Sequence, residues 1–291
     1  MLPFRENISL RDFCTLGIGG PARYLCEVRT VKEMQEAIKI CYRHHLPFMV
    51  LGKGSNCLFD DRGVNGVVLV NKIDFCEECS PGVFHVGAGY SFALLGVQTA
   101  RQGWSGLEFA SGIPASVGGA VFMNAGANGS ETFQSVESID FISMDGELKT
   151  LKRDEVTFSY RFSSLQKIPG AIVGVTFKLK PSPEARQKQI EIVKTRSKTQ
   201  PYGSKSAGCI FLNPSCGSAG ALIDKCNLKG VSVGDAAVSN LHANFLINVN
   251  QATCRDMLEL IELVKKRVKE MSQVELHIEV RQINYEINTH E

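Results

Sequence analysis

The run Gly106–Gly129 carries glycines at 106, 112, 118, 119, 126 and 129 in an otherwise apolar stretch with one proline and few charges. Glycine costs stability unless the backbone must take a positive φ or let another group come very close. So many in one run imply a backbone laid against a large flat ligand, its N–H groups turned toward phosphate oxygens. The plain alternative is a set of tight turns in a β-rich domain, but turn glycines come singly between strands. A second glycine site lies upstream. Phe48–Leu51 is a short apolar run after Pro47 that reads as a buried strand, and Gly52-Lys-Gly-Ser-Asn56 follows it at once as a loop suited to an anion nest. It is not a nucleoside-triphosphate loop: Gly54, not Ser or Thr, follows Lys53, and the four-residue spacer between glycines is missing. Gly17-Ile-Gly-Gly-Pro-Ala22 and Gly87-Ala-Gly89 also fail as dinucleotide fingerprints. Pro21 opens a strand-like segment in the first, and Phe92 takes the third glycine position in the second.

Composition narrows the class. The chain has 291 residues, 44% hydrophobic and 21% charged, with a net charge of +2. That length suffices for two or three units with sizeable cores. The weak charge balance offers no electrostatic footprint for nucleic acid or a membrane surface. No apolar run reaches membrane-spanning length, and the N-terminal residues lack a signal-peptide h-region. A cytoplasmic location with reduced thiols is therefore expected for the ten cysteines. Cys76-Glu-Glu-Cys79 is the only C-x-x-C and reads as a surface loop; with no histidine cluster beside it, no metal is implied.

The elements that must position these loops alternate. Thr30-Val-Lys-Glu33 reads as a capping box, with Val31, Met34, Ile38, Cys41 and Tyr42 as the buried stripe of the helix it opens. Short strands at Val67–Asn71 and Val83–Val86 and a helix at Phe92–Gln102 precede the long glycine run. Asp145-Gly146 is a strong hairpin signal between Val136–Met144 and Glu147–Leu151, and Ala171–Leu179 reads as a further strand. Pro181-Ser-Pro183 is the best boundary, followed by a charged helix from Glu184 to about Lys198. The last helix starts near Thr253 and should bury Met257, Ile261, Val264, Val268 and Met271. A final strand, Val274–Arg281, alternates apolar and polar residues. The fold class is α+β.

Residues 12–285 together resemble one family, the UDP-N-acetylenolpyruvoylglucosamine reductases. The matching pieces are Thr15-Leu-Gly-Ile-Gly-Gly-Pro-Ala22, Leu51-Gly-Lys-Gly-Ser-Asn56, Gly106–Gly129, Ser159-Tyr-Arg-Phe-Ser163, and Gln200-Pro201 with Ser206-Ala-Gly-Cys-Ile-Phe-Leu-Asn-Pro214. Ala219-Gly-Ala-Leu-Ile223, Lys229-Gly230, Ser239-Asn-Leu-His-Ala-Asn-Phe245 and Leu276-His-Ile-Glu-Val-Arg281 complete the set. Each piece is weak alone; order and spacing over nearly the whole chain make the match specific. The length looks like that of the shorter, type II branch.

The resemblance implies the FAD-binding fold of the vanillyl-alcohol oxidase superfamily. Its two subdomains would be residues 1–65 and 66–183, with a smaller C-terminal α+β substrate-binding domain at 184–291. FAD would lie between the two subdomains. Gly52, Lys53, Gly54, Ser55 and Asn56 with Gly112, Ile113, Pro114, Ser116, Gly118 and Gly119 would surround its pyrophosphate, and Asn124 to Gly126 would pass near the flavin. The first loop has no histidine, so non-covalent FAD is expected. NADPH would be the hydride donor, and the reaction would reduce the enolpyruvyl group of UDP-N-acetylglucosamine enolpyruvate to give UDP-N-acetylmuramate for peptidoglycan. Arg161 matches the arginine that holds the substrate carboxylate and stabilises an enolate, a role suited to a planar permanent cation. Without the family, an arginine there reads as a surface salt bridge. Cys209 stands where the family usually has a serine proton donor; a thiol gives up a proton more readily than an aliphatic hydroxyl, although cysteine of itself is more often buried and inert. Glu279 falls on the polar face of the final strand, which pattern alone assigns to solvent; the resemblance directs it at the substrate. Asn213 matches a nucleotide-sugar contact, Lys205 is a looser candidate for the diphosphate, and Tyr160 joins them as a substrate residue. His242 and Asn244 match the motif and shape the site. A monomer without nucleic-acid or membrane partners is expected.

Overall fold

A computed structural model describes residues 2–287. The first layer is a four-stranded sheet in the order Arg5–Ser9, Pro21–Val28, Val64–Asn71, Phe48–Leu51, parallel except for its first strand. Helix α1 (Val31–Arg43) connects Pro21–Val28 to Phe48–Leu51. Its Thr30 cap forms as the sequence indicates, the hydroxyl accepting from the Glu33 N–H at 3.1 Å. The Glu33 carboxylate takes the Arg29 N–H instead of the cap residue's own. Met34, Ala37, Ile38 and Cys41 are buried, whereas Tyr42 is exposed, because the stripe drifts off the face by the last turn.

The second layer is an antiparallel five-stranded sheet in the order Leu148–Lys152, Val136–Ser143, Gly170–Lys178, Val83–Gly87, Cys76–Ser80. Asp145-Gly146 makes the hairpin turn, with Gly146 at φ +80°. Cys76 and Cys79 lie on the edge strand, not in a loop. One core joins α1 and the first sheet to Ile142, Ala171 and Val173 of the second. The other face of the second sheet is covered by α2 (Phe92–Arg101) and α3 (Val117–Phe122).

Helix α4 (Ala185–Thr199) follows the Pro181–Pro183 segment and packs on the second layer. Lys188 pairs with the nearly buried Glu108, and Arg196 reaches Gly112. The C-terminal unit is an antiparallel sheet, Lys205–Cys209, Phe245–Asn248, Ala236–Val238, Ser232–Val233, covered by α5 (Ala219–Lys225) and α6 (Cys254–Ser272). Thr253 and Asp256 form a full capping box at α6. Met257, Ile261, Val264 and Val268 are buried; Met271 is exposed, lying in the last turn beyond the sheet.

The units are interleaved in sequence. Leu16, Ile18 and Leu58 belong to the C-terminal core. The boundary expected at residue 65 falls inside Val64–Asn71, a central strand of the first sheet. The final strand expected at Val274–Arg281 is replaced by extended coil, a single bridge from Ile278 to Phe211, and a strand at Arg281–Ile283. The chain here crosses back from the C-terminal unit, and Arg281–Ile283 pairs in parallel with Cys57–Phe59 of the first unit. All ten cysteines are free.

Candidate active site

The three units meet at a cavity of about 600 Å³. Its first wall is the loop that leaves Phe48–Leu51. Among the described residues, the backbone N–H groups of Lys53, Gly54, Ser55 and Asn56 make no hydrogen bond to protein acceptors. Unpartnered loop donors at a cavity wall match the need of a diphosphate. Gly54 has φ +61°, and a Cβ there would sit 2.1 Å from the Phe13 carbonyl oxygen. The Lys53 ammonium donates to Ser91 at 2.8 Å, and burial holds its pKa below the usual lysine value.

The second wall is the glycine run at α3. Ile113, Pro114, Ser116, Gly118, Gly119 and Gly126 all face the cavity. Ser116 caps α3 by accepting from the Gly119 N–H. The two loops touch: a Cβ on Gly52 would lie 2.1 Å from the Ser116 hydroxyl oxygen. Gly112 stands behind the wall instead. Its carbonyl accepts from the Arg196 guanidinium and the Tyr202 hydroxyl, both at 2.9 Å. Asn124 is fully buried, at φ +43°, with its amide tied to Glu131, the Ser159 carbonyl and the Phe133 N–H, so it braces the loop from within.

The third wall carries the chemistry. Tyr160 and Arg161 form the two-residue turn between the short paired strands Phe158–Ser159 and Phe162–Ser163. Arg161 sits at φ +58°, a conformation that costs a side-chain-bearing residue about 1–2 kcal/mol. Its Nε donates to Glu279 Oε1 at 2.8 Å and its Nη2 to the Gly126 carbonyl at 2.9 Å, and the guanidinium lies over the Tyr160 ring. Both members of the Arg161–Glu279 pair are largely shielded from water. Burial raises the Glu279 pKa, and Arg161 pulls it back down. Glu279 is thus a largely shielded residue of the cavity wall and not the solvated one that the alternating pattern indicated; its N–H is held by the Ile210 carbonyl at 2.7 Å and its own carbonyl accepts from Asn56.

Cys209 ends the strand Lys205–Cys209 after an irregularity that starts at Ser206, with Gly208 at φ +77°. Such a bulge re-aims the side chain beyond it, and Cys209 lines the same cavity as Arg161 and Glu279. Burial, reinforced by the Glu279 charge, pushes its thiol up to about 12, against the opposing pull of Arg161 and Arg196. Buried Asn244 fixes the following turn by bonding both backbone groups of Phe211. His242 Nδ1 accepts from the Asn244 N–H, and burial lowers its pKa from the usual imidazole value.

The substrate candidates lie elsewhere. Tyr160 and Asn213 are exposed and adjoin each other at the surface, the Asn213 N–H 3.4 Å from the Tyr160 hydroxyl. Asn213 also accepts from the Ala219 N–H at the start of α5. Lys205 lines a separate cavity with Arg11, Asp12 and Thr15. The sequence reading missed Arg196, Gln200, Gln166 and Arg281, all on the cavity wall. Arg196 was hidden among the charges of α4, and Arg281 on a face read as solvated. Only the fold turns them inward.

Comparison with known proteins identifies the family. Residues 22–152 match the FAD binding domain family, and residues 200–283 match the C-terminal domain of UDP-N-acetylenolpyruvoylglucosamine reductase. The reductase of Protochlamydia amoebophila (strain UWE25) is 55% identical over 98% of this chain and 95% of its own length. The chain belongs to the UDP-N-acetylenolpyruvoylglucosamine reductase family. The reductase of Chlamydia trachomatis serovar A is 45% identical over 97% of each chain. The crystal structure of the reductase from Thermus caldophilus superimposes with a TM-score of 0.84 at 38% identity, covering 97% of this chain and all of that one. The protein is thus an FAD-dependent oxidoreductase of peptidoglycan precursor synthesis, reducing the enolpyruvyl group of UDP-N-acetylglucosamine enolpyruvate with NADPH.

Proposed function

We propose that this reduction takes place on the wall shared by Arg161, Cys209 and Glu279, with Cys209 as the proton donor. The observation that carries the reading is the shielded Arg161–Glu279 pair, 2.8 Å apart, on the same cavity as Cys209 and both glycine loops. The loops 52–56 and 113–119 would hold FAD, which when bound supplies to the substrate a hydride drawn from NADPH. Addition of hydride to the enolpyruvyl methylene carbon leaves negative charge shared between the adjacent carbon and the carboxylate. The fixed guanidinium of Arg161 meets that charge without having to reorganise. The Cys209 thiol then gives its proton to the adjacent carbon, completing the saturated ether, and regains one from solvent. A thiol pushed up to about 12 keeps its proton until a strongly basic carbon develops, which suits this order of events. Glu279 keeps Arg161 in register and shares the proton.

The finer assignments belong to the same reading. The chain falls in the type II branch, works in the cytoplasm as a monomer, and binds FAD without a covalent link, since Gly52–Asn56 contains no histidine. Residues up to 183 hold the cofactor, with α4 packed on them, and the C-terminal unit closes over the substrate.

Anaerobic half reactions test this. The yellow protein should be bleached by NADPH and should recover its absorbance rapidly on addition of UDP-N-acetylglucosamine enolpyruvate. Cys209→Ala and Glu279→Gln should leave the bleaching intact and slow the recovery on the order of 10²-fold or more. Full-speed recovery in Cys209→Ala would remove it from the donor role, and equal loss in both halves would point to misfolding.

A further inference from the structure

We propose that Gln166 is the positioning residue for Arg161, its side-chain amide fixing the left-handed turn that aims the guanidinium at Glu279 and Gly126. This rests on the active-site reading above and adds to it the residue that sets the geometry. Gln166 Nε2 donates to the Arg161 carbonyl at 3.3 Å and to the Phe122 carbonyl at 2.9 Å. Phe122 is the last residue of α3, where helix carbonyls have no partner within the helix. The Ser163 hydroxyl converges on the same oxygen at 2.6 Å. One amide therefore straps the backbone of the substrate-side turn to the helix that walls the cofactor loops.

The strap answers a specific need. Arg161 is the second residue of a two-residue turn and has φ +58°, a place usually given to glycine or asparagine. Nothing in an arginine side chain favours that conformation, so the surroundings must impose it. If the turn relaxed to negative φ, the side chain would leave on a different vector, and both the 2.8 Å contact with Glu279 and the 2.9 Å contact with Gly126 would be lost. Ser163 anchors the following strand; among the described side chains, only Gln166 bonds to the Arg161 carbonyl itself.

A double-mutant cycle in the flavin-loaded protein separates positioning from scaffolding. Gln166→Leu should slow flavin recovery by substrate about tenfold and weaken calorimetric binding of substrate to the oxidised protein about threefold, with NADPH bleaching changed less than about twofold. In an Arg161→Ala background the same change should add less than about twofold. An equal factor in both backgrounds, or no effect in the first, overturns the proposal. Should Gln166→Leu purify without flavin, Gln166→Asn, which draws the amide back by one methylene, is read in the same way; loss of flavin in both overturns the proposal, because Gln166 would then be holding the fold. Absence of flavin recovery in the unmodified protein would instead count against the active-site reading.

Discussion

At Cys209 a small change of atom has a large electrostatic consequence. An aliphatic hydroxyl does not titrate in water's range, whereas a buried thiol does, and burial moves it away from its ordinary 9.0 to about 12. The sign follows directly. The folded value lies above the unfolded one, so the protonated thiol contributes stability that is fully present below pH 9 and is lost as pH rises from 9 toward 12. Relative to Cys209→Ser, the protein should therefore lose denaturation midpoint progressively across that interval and show none of this loss between pH 6 and 8. Iodoacetamide at pH 8 should label the exposed Cys79 and Cys216 well before Cys209, followed by peptide mass mapping. Fast alkylation of Cys209 at that pH would mean the thiol is not shielded as described.

At the scale of elements, the glycine loops were legible in the sequence because their glycines are demanded by contact. Gly52 against Ser116 and Gly54 against Phe13 leave no room for a Cβ. Gly112 meets a softer demand from a partner the sequence does not reveal: a Cβ there would lie 2.3 Å from Nε of the Arg196 side chain, which can move aside. Gly112→Ala should swing Arg196 off the loop carbonyl, lower thermal stability by about 0.5–1.5 kcal/mol for the lost hydrogen bond, and weaken FAD retention measured by fluorescence titration. Unchanged retention would show that the Arg196 and Tyr202 bonds do not support the loop. Capping signals were equally readable at Thr30 and Thr253, since they are local. What escaped was whatever depends on a distant partner. Glu279 and Arg281 alternate like a solvated strand, yet the chain there threads between two units. Tyr42 and Met271 keep helical spacing but stand where the facing surface has ended. Arg161, Cys209 and Glu279 came from family resemblance; without it, residue type made Arg161 a surface salt bridge and strand alternation turned Glu279 to solvent.

Across the whole molecule, the units are held by ties that skip far along the chain. The Asp61 carboxylate accepts from the backbone N–H groups of Cys254 and Arg255 at 2.7 and 3.1 Å, so the first unit caps the last long helix. An anionic cap at a helix start satisfies orphan donors and opposes the positive end of the helix. Asp61→Ala should lower stability by about 1 kcal/mol in urea unfolding, with a single transition retained. A new early transition confined to the C-terminal unit would mean that Asp61 couples the units instead of capping one.

The parallel pairing of Arg281–Ile283 with Cys57–Phe59 has a consequence for how the protein is made. The nest at Gly52–Asn56 is braced by the Arg281 N–H on the Asn56 carbonyl and by the Asn56 amide on the Glu279 carbonyl. Those braces come from residues more than two hundred positions further along the chain, Glu279 lying 223 residues beyond Asn56. Sequence-distant closures of this kind are slow and fall late in folding. The nascent chain therefore carries an unfinished cofactor cradle until the segment around Glu279 and Arg281 has been made, and a complete seat for FAD forms only after that segment has folded back.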